Sequence, residues 1–280
     1  MMTPEQLKGR IRNFAKEKNI HAQEVLQSYM FERLLERLSK SKYKKNFIIK
    51  GGLLISSMIG ISERTTMDLD VTIKAFQVDE QKVTDMVDEI MSIDVEDNII
   101  FEFVRIKPIR NEEPYSNYSV AMNALFGKMK VPLKIDITTG DAIVPKEINF
   151  KYKMLFEEKN IEILSYTLET VMAEKLETIL SRGISNTRAR DFYDIFILYQ
   201  LKNSEIRWDV LRKAIERTLE KRKSKQVLLD YKQILEEIGE STYLHSIWRN
   251  YQAENLYVQN IEFSSILKVI GEIGNRVIEN

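Results

Sequence analysis

Apolar side chains recur every three to four positions over the first forty residues: Leu7, Ile11 and Phe14 fall on one face, then Val25, Tyr29, Leu34 and Leu38 on another. That spacing predicts two helices, over residues 5–18 and 21–39. From residue 46 the texture changes. NFIIK reads as a short strand, the Gly-Gly pair after it as a turn, and LLISSMI as a first helix. DLDVTI alternates like a strand, 79–91 carries the pattern of a charged amphipathic helix, and NIIFEFVRIKPI, NYSVAMNALFG and VPLKIDITTG read as three successive strands. RNEEPYSN and GKMK supply turn chemistry between them. Beyond about residue 165 strand signals stop, and the pattern predicts five or six helices, near 168–182, 187–201, 208–222, 225–238, 240–253 and 260–276. The layout is α+β with a mixed sheet in three parts: an N-terminal helical segment over 1–45, an α/β core over 46–165, and a helical C-terminal region over 166–280.

Composition narrows the chemistry. Of 280 residues, 42 are basic and 42 acidic, two are His and none is Cys. The absence of Cys excludes disulfides, thiolate metal sites and cysteine nucleophiles, and two His leave little room for a multi-histidine centre. A metal would have to sit on carboxylates, which favours Mg²⁺ or Mn²⁺. No apolar run approaches the ~20 residues that span a bilayer, and the N-terminus carries no apolar secretory segment, so a cytoplasmic protein with no membrane association is expected. The balanced total hides segregation: residues 1–50 hold 12 basic and 5 acidic side chains, 62–102 hold 3 and 12, and 207–225 hold 8 and 3.

The candidate chemistry lies in the acidic stretch. Asp68 and Asp70 flank Leu69, and alternate strand residues share a face about 6.5–7 Å apart, close enough to clamp one or two divalent cations. Composition alone predicts roughly 0.6 such D-x-D pairs in a chain with this Asp content, so the pair gains weight only from its surroundings. Asp136 lies between Ile135 and Ile137, where a carboxylate is costly to bury without a cation; a surface ion pair with Lys134 is the plainer alternative. Gly51 and Gly52 stand between a strand and a helix, where backbone N–H groups can approach phosphate, with Ser56 and Ser57 following. Neither a dinucleotide nor a P-loop signature is present.

In order along the chain, FERLLERLSKSKYKKNFIIKGGLLI, RTTMDLDVTI, LKIDITTGD, EILSYTLETVMAEKLETILSRG and NTRARDFYDIFIL resemble the nucleotidyltransferase fold of the DNA polymerase β superfamily, and more closely the AbiEii/AbiGii toxin family of bacterial toxin–antitoxin and abortive phage infection systems. The resemblance implies a mixed-sheet nucleotidyltransferase core in which Asp68, Asp70 and Asp136 hold Mg²⁺ or Mn²⁺. Gly51, Gly52, Ser56 and Lys175 would bind an NTP substrate, and Lys175 and Asp191 would join the three aspartates as catalytic residues. Arg188 and Arg190 would contact RNA or phosphate. It further implies NMP transfer to an RNA acceptor, tRNA 3′ ends foremost, with release of pyrophosphate, and a winged-helix antitoxin encoded nearby. A protein or aminoglycoside-like hydroxyl as acceptor, or a non-catalytic nucleotide- or antitoxin-binding module, are the rival readings. One departure is that the superfamily's Gly-Ser is Gly51-Gly52 here, with 15 residues before Asp68. The basic block at 207–225 and the lysines around Tyr43 are further candidates for RNA contact, against the plainer reading of solvated helix faces.

Overall fold

The computed structural model describes residues 2–74, 79–109 and 117–278. The chain divides into two compact units, the first comprising Met1–Asp141 with Glu147–Tyr166 and the second Ala142–Lys146 with Thr167–Asn280.

In the first unit, α1 (Pro4–Lys18) starts at a capping box between Thr3 and Gln6 and stops at Asn19 in the left-handed region. Then come α2 (Ala22–Lys40), β1 (Phe47–Lys50), α3 (Gly51–Ile59), β2 (Leu69–Ile73), α4 (Glu80–Ser92), β3 (Ile100–Ile109), β4 (Asn117–Phe126), β5 (Met129–Thr139), β6 (Ile148–Lys153) and β7 (Asn160–Ser165). The strands form one mixed sheet in the order β3-β4-β5-β2-β1-β7-β6, so the fold is α+β as the pattern predicts. Strands β2 and β5, and β1 and β7, run parallel; the remaining neighbours are antiparallel.

Three elements depart from the sequence expectation. Strands β6 and β7 are additional: β6 is an edge strand whose residues are exposed at four of six positions, so no alternation marks it. Helix α2 is buried without interruption from Gln27 to Leu38 rather than on one stripe. Its buried charged residues therefore find ionic partners inside the protein. Arg37 makes two 2.8 Å bonds to Asp97 and one of 2.7 Å to the Ile99 carbonyl, and Arg33 pairs with Glu32, Glu36 and Glu157. The turn expected at 110–117 lies, apart from Asn117, outside the described residues.

The second unit is helical: α5 (Leu168–Arg182), α6 (Ala189–Lys202), α7 (Trp208–Lys221), α8 (Gln226–Leu229), α9 (Tyr231–Glu240), α10 (Thr242–Glu254) and α11 (Phe263–Ile278). The helix expected over 225–238 breaks at Asp230 into α8 and α9, and Tyr231 packs directly against the bare backbone of Gly274 on α11. At its core Phe263 meets Phe192 edge-on at 5.3 Å and stacks on Trp248 at 5.9 Å between ring centres.

Candidate active site

Strand pairing assembles the aspartates. Lys50 on β1 is the partner of Asp70 on the antiparallel β2, and Asp70 is the partner of Asp136 on the parallel β5. Paired residues project from the same face of a sheet, so Lys50, Asp70 and Asp136 form one row across three strands, and Ser119 on β4 extends it beside Asp136. The alternate positions Leu69, Val71, Ile135 and Ile137 are buried on the opposite face. This is the placement that the alternation in DLDVTI and LKIDITT predicts. Asp68 stands just before β2, level with Lys134.

That lysine reports the field of the row. Its Nζ lies 3.0 Å from Asp136 Oδ2 and 3.4 Å from Asp68 Oδ1, bridging the two carboxylates. Burial acts to lower the Lys134 ammonium, but hydrogen bonding and charge from Asp136 and Asp68 outweigh it and hold its pKa above the ordinary lysine value. The second oxygen of Asp136, Oδ1, is buried and has no hydrogen-bond partner. A buried carboxylate oxygen without a donor is unfavourable, and a cation is what would satisfy it. Hard oxygen donors on neighbouring strands, with an unsatisfied oxygen among them, fit Mg²⁺ or Mn²⁺ in kind. Among the described residues, no three Asp, Glu or His side chains are already gathered into a metal-binding group.

The glycine turn abuts the row. Gly51 has φ +63°, and a methyl group on it would overlap the Asp70 carboxylate, so both conformation and space require glycine. Gly52 starts α3 against Thr66 and the buried Arg64, where a Cβ would lie 2.7 Å from Thr66 Oγ1. The first N–H groups of α3 thus sit beside Asp70. Ser56 is buried deeper in α3, and the Ser57 hydroxyl donates to the Leu54 carbonyl.

One cluster beside the row escapes sequence reasoning. Asp141 Oδ2 accepts from Lys50 Nζ at 2.6 Å, Thr138 Oγ1 at 2.7 Å and the Tyr166 hydroxyl at 2.7 Å. Burial pushes the Asp141 carboxyl up, but the Lys50 charge and these three hydrogen bonds prevail and hold it well below the usual carboxylate range. In TTGD, Asp141 has the composition of a turn, and Lys50 that of a strand end. Only the pairing of β1 beside β2 brings them to the same place.

In the second unit, Lys175 on α5 donates to Asp191 Oδ1 at 2.5 Å and lies 2.9 Å from Asp194 Oδ2, both on α6. Asp191 therefore orients Lys175, and Asp194 shares the task. Asp191 Oδ2 and Asn186 Nδ2 are buried without hydrogen bonds, just ahead of and within the first turn of α6. Arg188 and Arg190 are exposed there. Four residues of the basic block have acidic partners within the second unit. Arg207 grips the buried Glu169 through Nε at 2.9 Å and NH2 at 3.0 Å; Arg222 bonds Glu177, and Arg217 and Lys225 pair with Glu220. In the first unit, Lys42 pairs with Glu89 at 2.6 Å, which also accepts from the Tyr43 hydroxyl.

Comparison with known proteins gives the family and the fold. The family described as nucleotidyl transferase AbiEii toxin, type IV TA system, matches residues 33–268. A crystal structure described as a candidate nucleotidyltransferase from H. pylori aligns with a TM-score of 0.52 at 15% identity, covering 93% of this chain and 96% of that one. The crystal structure of JHP933 from Helicobacter pylori aligns with a TM-score of 0.51 at 15% identity, covering 92% of each chain. At such identity these two similarities speak for the fold. No match was found among curated proteins.

Proposed function

Because the chain belongs to the AbiEii nucleotidyl transferase toxin family, we propose that it is the toxin of a type IV toxin–antitoxin system, transferring NMP from an NTP to an RNA hydroxyl, with the tRNA 3′ end as the leading acceptor and a winged-helix antitoxin as its partner. The observation that carries the catalytic reading is the row of Asp70 and Asp136 on adjacent strands, with a buried Asp136 oxygen that has no hydrogen bond.

In the proposed reaction the acceptor oxygen attacks the α-phosphorus. The new P–O bond forms as the bond to the bridging oxygen breaks, and pyrophosphate leaves. Asp136, beside the attack, accepts the hydroxyl proton. Asp68, Asp70 and Asp136 would hold Mg²⁺ or Mn²⁺, which when bound supplies charge neutralisation for the phosphates. The N–H groups of Gly51 and Gly52, with Ser56 in α3, would cradle phosphate oxygens. Lys175, fixed by Asp191 and Asp194, supplies a positive charge for the triphosphate, and the exposed Arg188 and Arg190 contact RNA phosphates.

The acceptor is tested by incubating the protein with Mg²⁺ and each α-labelled NTP in the presence of total RNA, total protein or an aminoglycoside. Label in tRNA is the expected result; label in polypeptide or drug would replace RNA with the rival acceptor class, and no label in any of them would favour a binding module.

A further inference from the structure

Resting on the reading of the carboxylate row as a cation site, we propose that Asp141 is a positioning residue which, by fixing the Lys50 ammonium, sets how strongly that row takes up a divalent cation. Three observations carry it. Lys50 is the register partner of Asp70, so a four-carbon chain ending in an ammonium rises from the same face as the carboxylates. The Lys50 side chain is 13% exposed and that of Asp141 11%, so neither charge is free to relax into water. A single oxygen of Asp141 collects Lys50, Thr138 and Tyr166, which come from β1, β5 and the residue following β7, and the Lys50 ammonium also lies 5.6 Å from the centre of the Tyr166 ring. Three flanking segments are thus tied together around the end of β2 that bears Asp70.

The arrangement has a definite electrostatic consequence. Lys134 shows where an ammonium settles when nothing else claims it: on Asp68 and Asp136. Lys50 has the same reach on the other side of the row, and Asp141 gives it a fixed anionic partner. Asp70, the register partner of Lys50 across the β1–β2 ladder, is the carboxylate of the row that competes with Asp141 for this ammonium. An ammonium seated there competes directly with a dication.

The test is Mn²⁺ binding to the full chain, measured by electron paramagnetic resonance without nucleotide, with circular dichroism confirming each fold. Asp141→Asn keeps an acceptor for Thr138 and Tyr166 but removes the charge, and should weaken Mn²⁺ binding by about tenfold. Removing the released ammonium as well, in Lys50→Met with Asp141→Asn, should restore binding to near the wild-type level, a rescue that a merely structural role for Asp141 would not produce. Lys50→Met alone should bind Mn²⁺ at least as tightly as wild type, and carries the test if Asp141→Asn does not fold. Unchanged affinity in Asp141→Asn, no rescue in the double variant, or weakened binding in Lys50→Met would overturn the proposal. If the wild-type chain bound no Mn²⁺, or Asp136→Asn bound it as well as wild type, the reading of the row would fall first and the proposal with it.

Discussion

Individual residues carry constraints that composition does not reveal. Gly51 is constrained twice over, by φ +63° and by the Asp70 carboxylate against its Cα. Gly51→Ala should lower transfer by roughly 100-fold or more by displacing Asp70, while the backbone conformation alone costs about 1–2 kcal/mol of stability. Comparing initial rates with unfolding curves checks this, and a Gly51→Ala variant that transfers at the wild-type rate would break the link between turn and carboxylate. Glu32 makes a different prediction. Burial pushes it from an ordinary 4.5 up to about 7, against the opposing charge of Arg33 and the N–H of Leu155. Since its folded value exceeds its unfolded one, the fold favours the protonated acid. This contribution is present in full below about pH 4.5 and is lost as the pH rises through about 7. Relative to Glu32→Gln, the wild-type chain should therefore lose on the order of 2 kcal/mol of stability between pH 5 and pH 8, measurable by urea unfolding at both values. Parallel pH dependence in the two proteins would contradict it.

Elements show where charge patterning misleads. From sequence the positive block at 207–225 is a candidate for RNA contact, with a solvated helix face as the plainer reading; in the structure Arg207 on the N-terminal side of α7 closes over Glu169 in the first turn of α5, whose side chain is 2% exposed. Burial raises the Glu169 carboxyl, but the Arg207 hydrogen bonds and charge prevail and hold it below its ordinary value. Arg207→Ala should then destabilise the protein by about 2 kcal/mol by leaving Glu169 buried without its partner. Chemical denaturation reads this directly; a variant of unchanged stability with weakened RNA binding would return the block to the interface. Helix α2 teaches the same lesson. Its sequence alternates charged and apolar positions as an amphipathic helix does, but the 154–157 turn and the 97–99 segment supply partners for the charged side as well. Periodicity records which residues are apolar. It cannot record that Glu32, Arg33, Glu36 and Arg37 find one another and Asp97 across the fold.

At the scale of the whole molecule, what was legible is what is local. The Gly-Gly turn, the D-x-D alternation and the Asp136 strand each follow from spacing within a few residues, and the helices of the C-terminal region follow from their period. Asp141 and Lys50, 91 positions apart, become neighbours through strand order alone, and β7 and β6 extend the sheet beyond β1, with β6 at its edge. The balanced charge of 42 against 42 likewise conceals its use. In this chain Arg33, Arg37, Lys50, Arg207 and Arg222 are spent internally against buried carboxylates, and Asp70 and Asp136 stand in the row where a cation would sit. The central claim is that this row is the centre of nucleotidyl transfer. The most direct test follows transfer from an α-labelled NTP to RNA in the presence of Mg²⁺ for the wild-type chain and for Asp136→Asn, whose side chain keeps the shape and loses the charge. Labelled RNA and released pyrophosphate are expected from the wild type and at least a roughly 100-fold lower rate from the variant; equal rates from the two proteins would mean that the row is not the centre of transfer.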